Sequence, residues 1–252
     1  MQSISISRGK NSNSRAIGTS GLRHSVPVFN TIQAALNAAG QHAELPAAAG
    51  RAPHVPCIRV MPGTYDVGEQ GLVLTFPVAI VSCLPSWSAV EMDKGDDDEW
   101  CWPKADASSQ TGSVVLCCSG MDGNVVTIDL CASNQSFNNA FGQQQHGVLL
   151  SGLTIKHAQS QQHSVALLCG QATVERCALL ATCGAYGSRS TLFITDSVVD
   201  NGGSGSGIFA NGKASLSVLR CFVRAGSGSG IEARGAASLR LSDSVVWECG
   251  KS

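Results

Sequence analysis

Short apolar stretches, separated by Gly, Pro and Asp, fill the chain from residue 57 onward. They are rich in Val and Ile and alternate with polar residues, a pattern typical of short β-strands. The first of these predicted strands cover residues 57–61, 72–75, 78–82, 114–118 and 125–130. The sequence therefore predicts a strand-rich protein in this part of the chain.

A different spacing precedes the strands, in the segment NTIQAALNAAG at residues 30–40. Its apolar residues recur at three- and four-residue intervals, which indicates one face of a helix. Asn30 or Thr31 can cap the first turn, and Gly40 is expected to end the helix. A short amphipathic helix needs an apolar neighbour, and we expect it to cover the open end of the stacked strands.

From Val148 onward the strands repeat in a fixed register. Each copy has one apolar residue followed by apolar or small residues at +2, +5 and +7. The copies are Val148, Leu150, Leu153, Ile155; Ala172, Val174, Cys177, Leu179; Leu192, Ile194, Ser197, Val199; Leu216, Val218, Cys221, Val223; and Leu239, Leu241, Ser244, Val246. Their third positions are 24, 20, 24 and 23 residues apart. This period is too short for helical repeats, which need about 33 residues or more.

Spacing by two, with a phase shift between +2 and +5, indicates short strands that bend from one sheet into the next. Strands at equivalent places in successive units would then pair in parallel. The predicted fold is all-β, a right-handed parallel β-helix (a solenoid) with a short N-terminal capping helix. The segment GSGSGI at residues 203–208 and 226–231 precedes a predicted strand in both places. We therefore do not interpret it as a phosphate-binding loop, which would precede a helix.

The predicted organisation is a basic Ser/Asn-rich arm or tail at residues 1–28 and one β-helix domain at residues 29–252. Insertions are expected at residues 84–112, which contain an acidic run beside two Trp, and at residues 132–146, which are rich in Asn and Gln. No amphipathic segment follows the last predicted unit, so we expect a partner, a second copy or a continuation to cover it. The residues predicted to contact a partner are Arg8, Lys10, Arg15, Arg23, Trp100, Trp102 and Trp247.

Composition excludes several classes of function. The net charge is −1 and only 14% of residues are charged, which argues against binding nucleic acid by neutralising phosphates. No apolar stretch reaches the about 18 residues of a transmembrane helix. The 11 cysteines are odd in number and no secretory signal precedes them, so we expect small core residues in a reducing, cytoplasmic compartment. A basic, Ser-rich N-terminus leaves organelle import as an alternative.

No cofactor or metal site is predicted. The cysteines lack the spacing of zinc ligands, and the acidic run at residues 93–99 does not match a calcium loop. His146, His157 and His163 flank one unit and leave a metal cluster as an alternative. All six histidines are expected to lie outside the inward positions of the repeat.

Two segments resemble a known group of proteins. TIQAALNAA (residues 31–39) and IRVMPGTYDVGEQGLVLTFPVAIVS (residues 58–82) resemble the opening of pectin lyase-like β-helix proteins, where a capping helix precedes a V-x-PGTY strand and turn. The units from residue 147 onward resemble the CASH-type repeats of NosD-like proteins, of β-helical F-box proteins and of the SHC-binding spindle-associated family. The resemblance implies the β-helix fold and a cytoplasmic location that includes cytoskeletal or ciliary sites. The uncovered last unit leads us to expect a subunit of a larger assembly.

Enzymes of this fold class carry motifs that are missing here. Pectin methylesterases have a Glu two residues after the Tyr of PGTY, where this chain has Val67 beside Asp66. The further motifs of methylesterases, polygalacturonases and pectate lyases are also missing. One outward row of the repeat alternates in charge, and is expected to be a ladder of surface ion pairs rather than a catalytic groove. This row is Arg176, Asp196, Arg220 and Asp243.

These patterns lead to two hypotheses. The first is a non-catalytic scaffold that binds another protein through the arm, the Trp-containing insertion and the uncovered last unit. The second is a protein that binds or acts on a pectin-type polysaccharide, in which case Asp66 or Asp196 would be needed.

Overall fold

The computed structural model describes residues 3–6, 27–43, 55–83, 113–120, 123–131, 147–157, 162–203 and 205–250. In this part of the chain the fold is all-β with one helix, and every strand pairing is parallel. The predicted all-β class is confirmed.

The strands form three parallel ladders, here called A, B and C, and the chain visits them in that order again and again. Ladder A contains β1 (Ser3–Ile6), β2 (Val28–Phe29), β3 (Cys57–Val60), β6 (Ala79–Ser82), β9 (Val148–Ser151), β14 (Ser190–Thr195), β17 (Ser215–Leu219) and β20 (Ser238–Ser242). Ladder B contains β4 (Gly63–Asp66), β7 (Val114–Cys118), β10 (Leu153–His157), β12 (Ala178–Leu180), β15 (Val198–Asn201), β18 (Phe222–Ala225) and β21 (Val245–Trp247). Ladder C contains β5 (Leu72–Leu74), β8 (Val126–Asp129), β13 (Thr182–Tyr186), β16 (Ile208–Asn211) and β19 (Ile231–Ala233).

One long strand, β11 (His163–Glu175), belongs to two ladders. Its first part pairs with β8 and β13 in ladder C, and its second part pairs with β9 and β14 in ladder A. We call each set of three consecutive strands, one from each ladder, a unit. The strands β20 and β21 belong to the last unit.

The register predicted from the repeat is confirmed in ladders A and B. Leu192 pairs with Ala172 and with Leu216, and Leu216 pairs with Leu239. In ladder B, Val199 pairs with Leu179 and with Val223. These positions form continuous inward columns of Val, Ile, Leu and Ala, which are the core of the protein.

Helix α1 (Ile32–Ala43) contacts strands β1, β2 and β3 at the first end of the ladders. The predicted face is confirmed, since its apolar residues are buried and belong to the core; they are Ile32, Ala35, Leu36 and Ala39. Thr31 caps the helix, because its Oγ1 accepts a hydrogen bond of 3.1 Å from the amide of Ala34. The predicted end at Gly40 is wrong, as the helix runs three residues further.

Other boundaries also differ from the sequence prediction. Strands β3 and β5 each end one residue earlier than predicted, and the PGTY segment contributes a strand of its own, β4. Four residues of the predicted arm form β1 and pair with β3. The two predicted insertions lie between β6 and β7 and between β8 and β9, and all of their residues lie outside the described residues.

Candidate functional site

The last unit exposes the same columns that are buried in the unit before it. Leu216 and Val218 are 1% and 0% exposed, whereas their partners in the last unit, Leu239 and Leu241, are 43% and 46% exposed. In ladder B, Val223 is 0% exposed and its partner Val246 is 42% exposed. The described residues of the last unit therefore present an apolar surface that continues the core.

Trp247 follows Val246 in β21 and lies on the outer face of the same strand. It is 50% exposed, pairs with Arg224 in ladder B, and accepts a hydrogen bond of 3.0 Å at its carbonyl from the Cys249 thiol. Four of the eight large apolar residues that are exposed in the described part of the chain lie in this unit, and these four define the surface, here called the last-unit surface: Leu239, Leu241, Val246 and Trp247.

Trp247 is also the one predicted contact residue that the structure describes. The remaining six predicted contacts lie outside the described residues; they are Arg8, Lys10, Arg15, Arg23, Trp100 and Trp102. The same holds for the acidic run at residues 93–99.

The corner between ladders A and B has the same backbone conformation in five successive units. The corner residue has a φ of 69° in Gly152 and of 48° to 52° in the four charged residues that follow it in the column, Arg176, Asp196, Arg220 and Asp243. A left-handed conformation costs a residue with a Cβ roughly 1–2 kcal/mol. The corner amides are bonded to the next unit, as in Arg176 N to Thr195 O at 3.1 Å and Asp196 N to Leu219 O at 3.0 Å.

The charged corner residues form ion pairs, but not in the strict alternation predicted. Arg220 donates two hydrogen bonds to the Asp196 carboxylate, at 2.6 and 2.8 Å, and these hold the pKa of Asp196 below its usual value. Arg176 instead bonds to Glu175 at 2.6 Å and to the Ser151 hydroxyl at 3.1 Å. Asp243, the last residue of the row, accepts a hydrogen bond of 2.9 Å from the Ser242 hydroxyl. The row therefore holds one ion pair between its own members, Asp196 and Arg220.

Beside the corner, Ser and Cys alternate in one buried column. Ser197 Oγ accepts a hydrogen bond from Cys177 N at 3.1 Å and donates one to Thr195 O at 2.7 Å. Ser244 does the same for Cys221 N, at 3.0 Å. Burial raises the pKa of Cys177 to about 12 and that of Cys221 to about 11, so both remain protonated. Both are free thiols and both are buried, which confirms that they are core residues.

Aromatic and charged side chains gather on the outer face of ladder C. The Tyr186 ring lies over Gly184, where a Cβ would come within 2.8 Å of it, and its hydroxyl bonds to His163 Nε2. Its centroid is 5.6 Å from that of Phe209, and the guanidinium of Arg234 lies 5.4 Å from the Phe209 centroid. This group, with Glu232, is called the ladder C cluster.

The charges of this cluster are satisfied internally. Glu232 accepts hydrogen bonds from Ser206 and Arg234, which lower its pKa. Burial lowers the pKa of His163, with a further contribution from His157, and burial raises the pKa of Tyr186 to about 12. At neutral pH the cluster therefore has a neutral His–Tyr pair beside a paired Arg and Glu.

No family model, no curated protein and no solved structure matches the chain. The site is therefore interpreted from its geometry alone. Helix α1, with 12 residues, is too short to cross a membrane, and the described residues contain no other helix.

The histidines and one cysteine pair differ from the sequence prediction. His157 is buried in the inward column, paired with Cys118, and its Nε2 lies 2.7 Å from Gly123 O. The prediction that the histidines avoid inward positions is therefore wrong. Cys131 and Cys169 form a disulfide, with their Cα atoms 5.8 Å apart, so these two are not reduced core residues.

Two features were missed by the sequence analysis because they belong to ladder C. The repeat was recognised from ladders A and B, whose spacing is fixed within each unit. The ladder C strands follow corners of variable length, so the alignment of Tyr186 with His163 and Phe209 had no visible period. The pairing of Cys131 with Cys169 was hidden by the insertion at residues 132–146, which lengthens their separation to 38 residues.

Proposed function

We propose that this chain is a non-catalytic scaffold, a right-handed parallel β-helix that binds another protein through its last-unit surface. The order A, B, C, repeated with parallel pairing throughout, supports the β-helix. The right-handed sense is supported by the rule that a connection between parallel strands of one sheet is right-handed in about 98% of cases.

The exposure of Leu239, Leu241, Val246 and Trp247 is the observation that carries the binding proposal. Burial of apolar area is the main favourable contribution to protein association, and Trp is enriched among the residues that dominate interfaces. Within the described residues, β20 and β21 pair on one side only, with β17 and β18. The occupant that we propose is a strand-forming segment of a partner, which would extend ladders A and B and cover the leucines.

The state of the titratable groups supports a role without catalysis. General acid–base work on a sugar needs carboxylates that converge on the substrate. Asp196 is instead held by Arg220, and Asp200 by Arg224 at 3.0 Å. Asp66 accepts hydrogen bonds from Gly68 N at 2.9 Å and from the Ser119 hydroxyl at 3.3 Å.

The test begins with a photo-crosslinking residue at position 241, and at position 193 as a control on the outer face of ladder A. A partner captured from cells at 241 but not at 193 is purified, and its affinity is measured for the wild type, L239K/L241K and R240Q. Arg240 lies between the two leucines, so R240Q controls for a change on the same strand. We expect L239K/L241K to bind at least about tenfold more weakly, a loss of about 1.4 kcal/mol, and R240Q to bind like the wild type.

The proposal fails if position 241 captures only this chain or a second copy of it. It also fails if L239K/L241K binds the partner as tightly as the wild type does. Because both leucines are about half exposed, thermal unfolding of L239K/L241K should stay close to that of the wild type, which would show that a loss of binding is not a loss of fold.

A second candidate function is the binding of an acidic glycan at the ladder C cluster. Tyr186 and Phe209 present aromatic rings on one face, and Arg234 beside them is a planar cation that a glycan carboxylate would share with Glu232. Calorimetric titration with oligogalacturonate tests it, using F209A and R234Q. D196N is the matched control, because Asp196 belongs to a different corner of the molecule. Equal heats for the wild type and both cluster variants would contradict this function.

A further inference from the structure

Three metal-binding side chains meet where ladder C joins the second and third units. Asp129 is the last residue of β8, Cys131 follows two residues later, and Cys169 lies in the neighbouring strand β11. A carboxylate oxygen of Asp129 and the sulfurs of Cys131 and Cys169 all lie within 4.8 Å of one another. This is the one such group among the residues that the structure describes.

The local backbone brings the three together. The pairing of β11 with β8 shifts register between Leu167 and Cys169, so that Cys169 pairs directly with Asp129. Such a bulge redirects a side chain and is frequent beside functional sites. Leu130 N then bonds to Cys169 O at 3.1 Å, which fixes the turn between Asp129 and Cys131 against β11. Gly170 follows with a φ of 100°, a conformation that favours glycine.

The Asp129 carboxylate is already oriented. Its Oδ1 accepts a hydrogen bond of 3.1 Å from Cys131 N. This bond holds the side chain toward the two sulfurs and leaves the second oxygen available to a cation. Two thiolates and one carboxylate are donors that Zn²⁺ accepts, and three protein ligands leave a fourth position for water or another molecule.

The described cysteines elsewhere do not offer such a site. Cys177, Cys183 and Cys221 are fully buried in the core, where burial raises the pKa of each thiol. Cys169 is buried as well, but Cys131 is exposed, so solvent and ions reach the cluster from that side. In the structure the two sulfurs are joined as a disulfide, which is the oxidised state of the same pair.

We propose that Asp129, Cys131 and Cys169 bind Zn²⁺ when the two cysteines are reduced, and that oxidation of the pair to the disulfide releases the ion. Binding displaces the two thiol protons. Release follows thiol–disulfide exchange with a disulfide such as oxidised glutathione. One cysteine sulfur attacks the oxidant and expels one glutathione thiolate. The second sulfur attacks the resulting mixed disulfide and expels the other thiolate, so two electrons pass to the oxidant and the Cys131–Cys169 bond forms.

The test uses Co²⁺ as a spectroscopic probe for the zinc site in the full chain. Reduced protein, freed of reductant under anaerobic conditions, is titrated with Co²⁺, and the thiolate-to-cobalt absorption is recorded. We expect one equivalent of Co²⁺ to bind and to give this absorption. Addition of Zn²⁺ should displace the Co²⁺, and addition of oxidised glutathione should abolish the absorption. C131S and C169S should lose the absorption. D129N should bind at least about tenfold more weakly, since even residues that only orient a ligand contribute about 10–100-fold to affinity.

C249S is the matched control, because the Cys249 thiol bonds to Trp247 O in the last unit and lies outside the cluster. Its titration should equal that of the wild type. A reduced wild type whose cobalt absorption is no greater than that of C131S/C169S would overturn the proposal. Unchanged Co²⁺ affinity in D129N would overturn the assignment of the carboxylate as a ligand.

Discussion

The two ends of the ladders differ in what covers the apolar columns. At the first end, helix α1 packs its buried face on β1, β2 and β3, and its apolar residues join the core. At the other described end, Leu239 and Leu241 occupy the same kind of inward position in β20, yet they are 43% and 46% exposed. The strands themselves are alike, since β20 pairs with β17 in the same parallel register that relates β17 to β14.

This difference shows that inward position and burial are separate properties in a repeat of this kind. Register is set by the backbone ladder and by the alternation of side chains. Burial is set by whether a further layer lies on top. A column therefore specifies an apolar residue in every unit, including one whose neighbouring layer is not part of the described structure.

The largest expected effect comes from truncating one column at two levels. Leu216→Ala removes a side chain that is 1% exposed and should lower the free energy of unfolding by about 2–5 kcal/mol. Leu239→Ala, one unit later in the same column, should cost less than about 1 kcal/mol because its side chain is already half in water. Urea unfolding of both variants measures the difference. Equal losses would show that Leu239 is covered in the isolated protein.

A smaller effect should appear at the corners between ladders A and B, which are alike from Gly152 to the last unit. Gly152→Ala places a Cβ at a φ of 69° and should destabilise the protein by about 1–2 kcal/mol. Asp243→Gly, in the last unit, relieves a φ of 48° and should leave stability unchanged or raise it by up to about 1 kcal/mol. Thermal unfolding of the pair tests this. A stabilising Gly152→Ala would mean that the corner conformation is not required.

The N-cap residue of helix α1, at the covered end, is expected to contribute somewhat less to stability. Thr31→Ala removes the acceptor for Ala34 N and should cost about 1 kcal/mol. Thr31→Asn, which retains a capping side chain, should stay close to the wild type. If calorimetry gives the same midpoint for Thr31→Ala and the wild type, the helix is held by its apolar face alone.

The smallest effect concerns the ion pair beside the last unit. Arg220 holds the pKa of Asp196 below its usual value, so the carboxylate contributes stability above its unfolded pKa of about 4 and loses it as the pH falls through the lower folded value. D196N should therefore be less stable than the wild type at neutral pH, and the two should converge in acid. Urea midpoints across this pH range test the sign. A difference that grows toward low pH would contradict it.

The repeat predicted ladders A and B well, because their apolar positions keep one spacing in every unit. The columns through Leu192 and Val199, the apolar face of α1 and the Ser–Cys corner all follow from residue types that are visible along the chain.

The sequence could not predict which of several neighbouring side chains a given residue contacts. Arg176 has two carboxylates within reach across and along the ladder, and only the folded geometry selects Glu175 over Asp196. The Asp129–Cys131–Cys169 group depends on a bulge in β11, which leaves no mark in the spacing of apolar residues. His157 lies inward because it is two residues beyond Ile155 on the same face of β10, at a position that the predicted repeat did not include.

Amide hydrogen exchange of β17 and β20, in the free protein and with the captured partner bound, tests the central claim most directly. The account predicts that β20 amides exchange much faster than those of β17 in the free protein, and that the partner slows β20 to the rate of β17. Equal protection of the two strands in the free protein, or an unchanged β20 in the complex, would contradict the last-unit surface as the place where the partner binds.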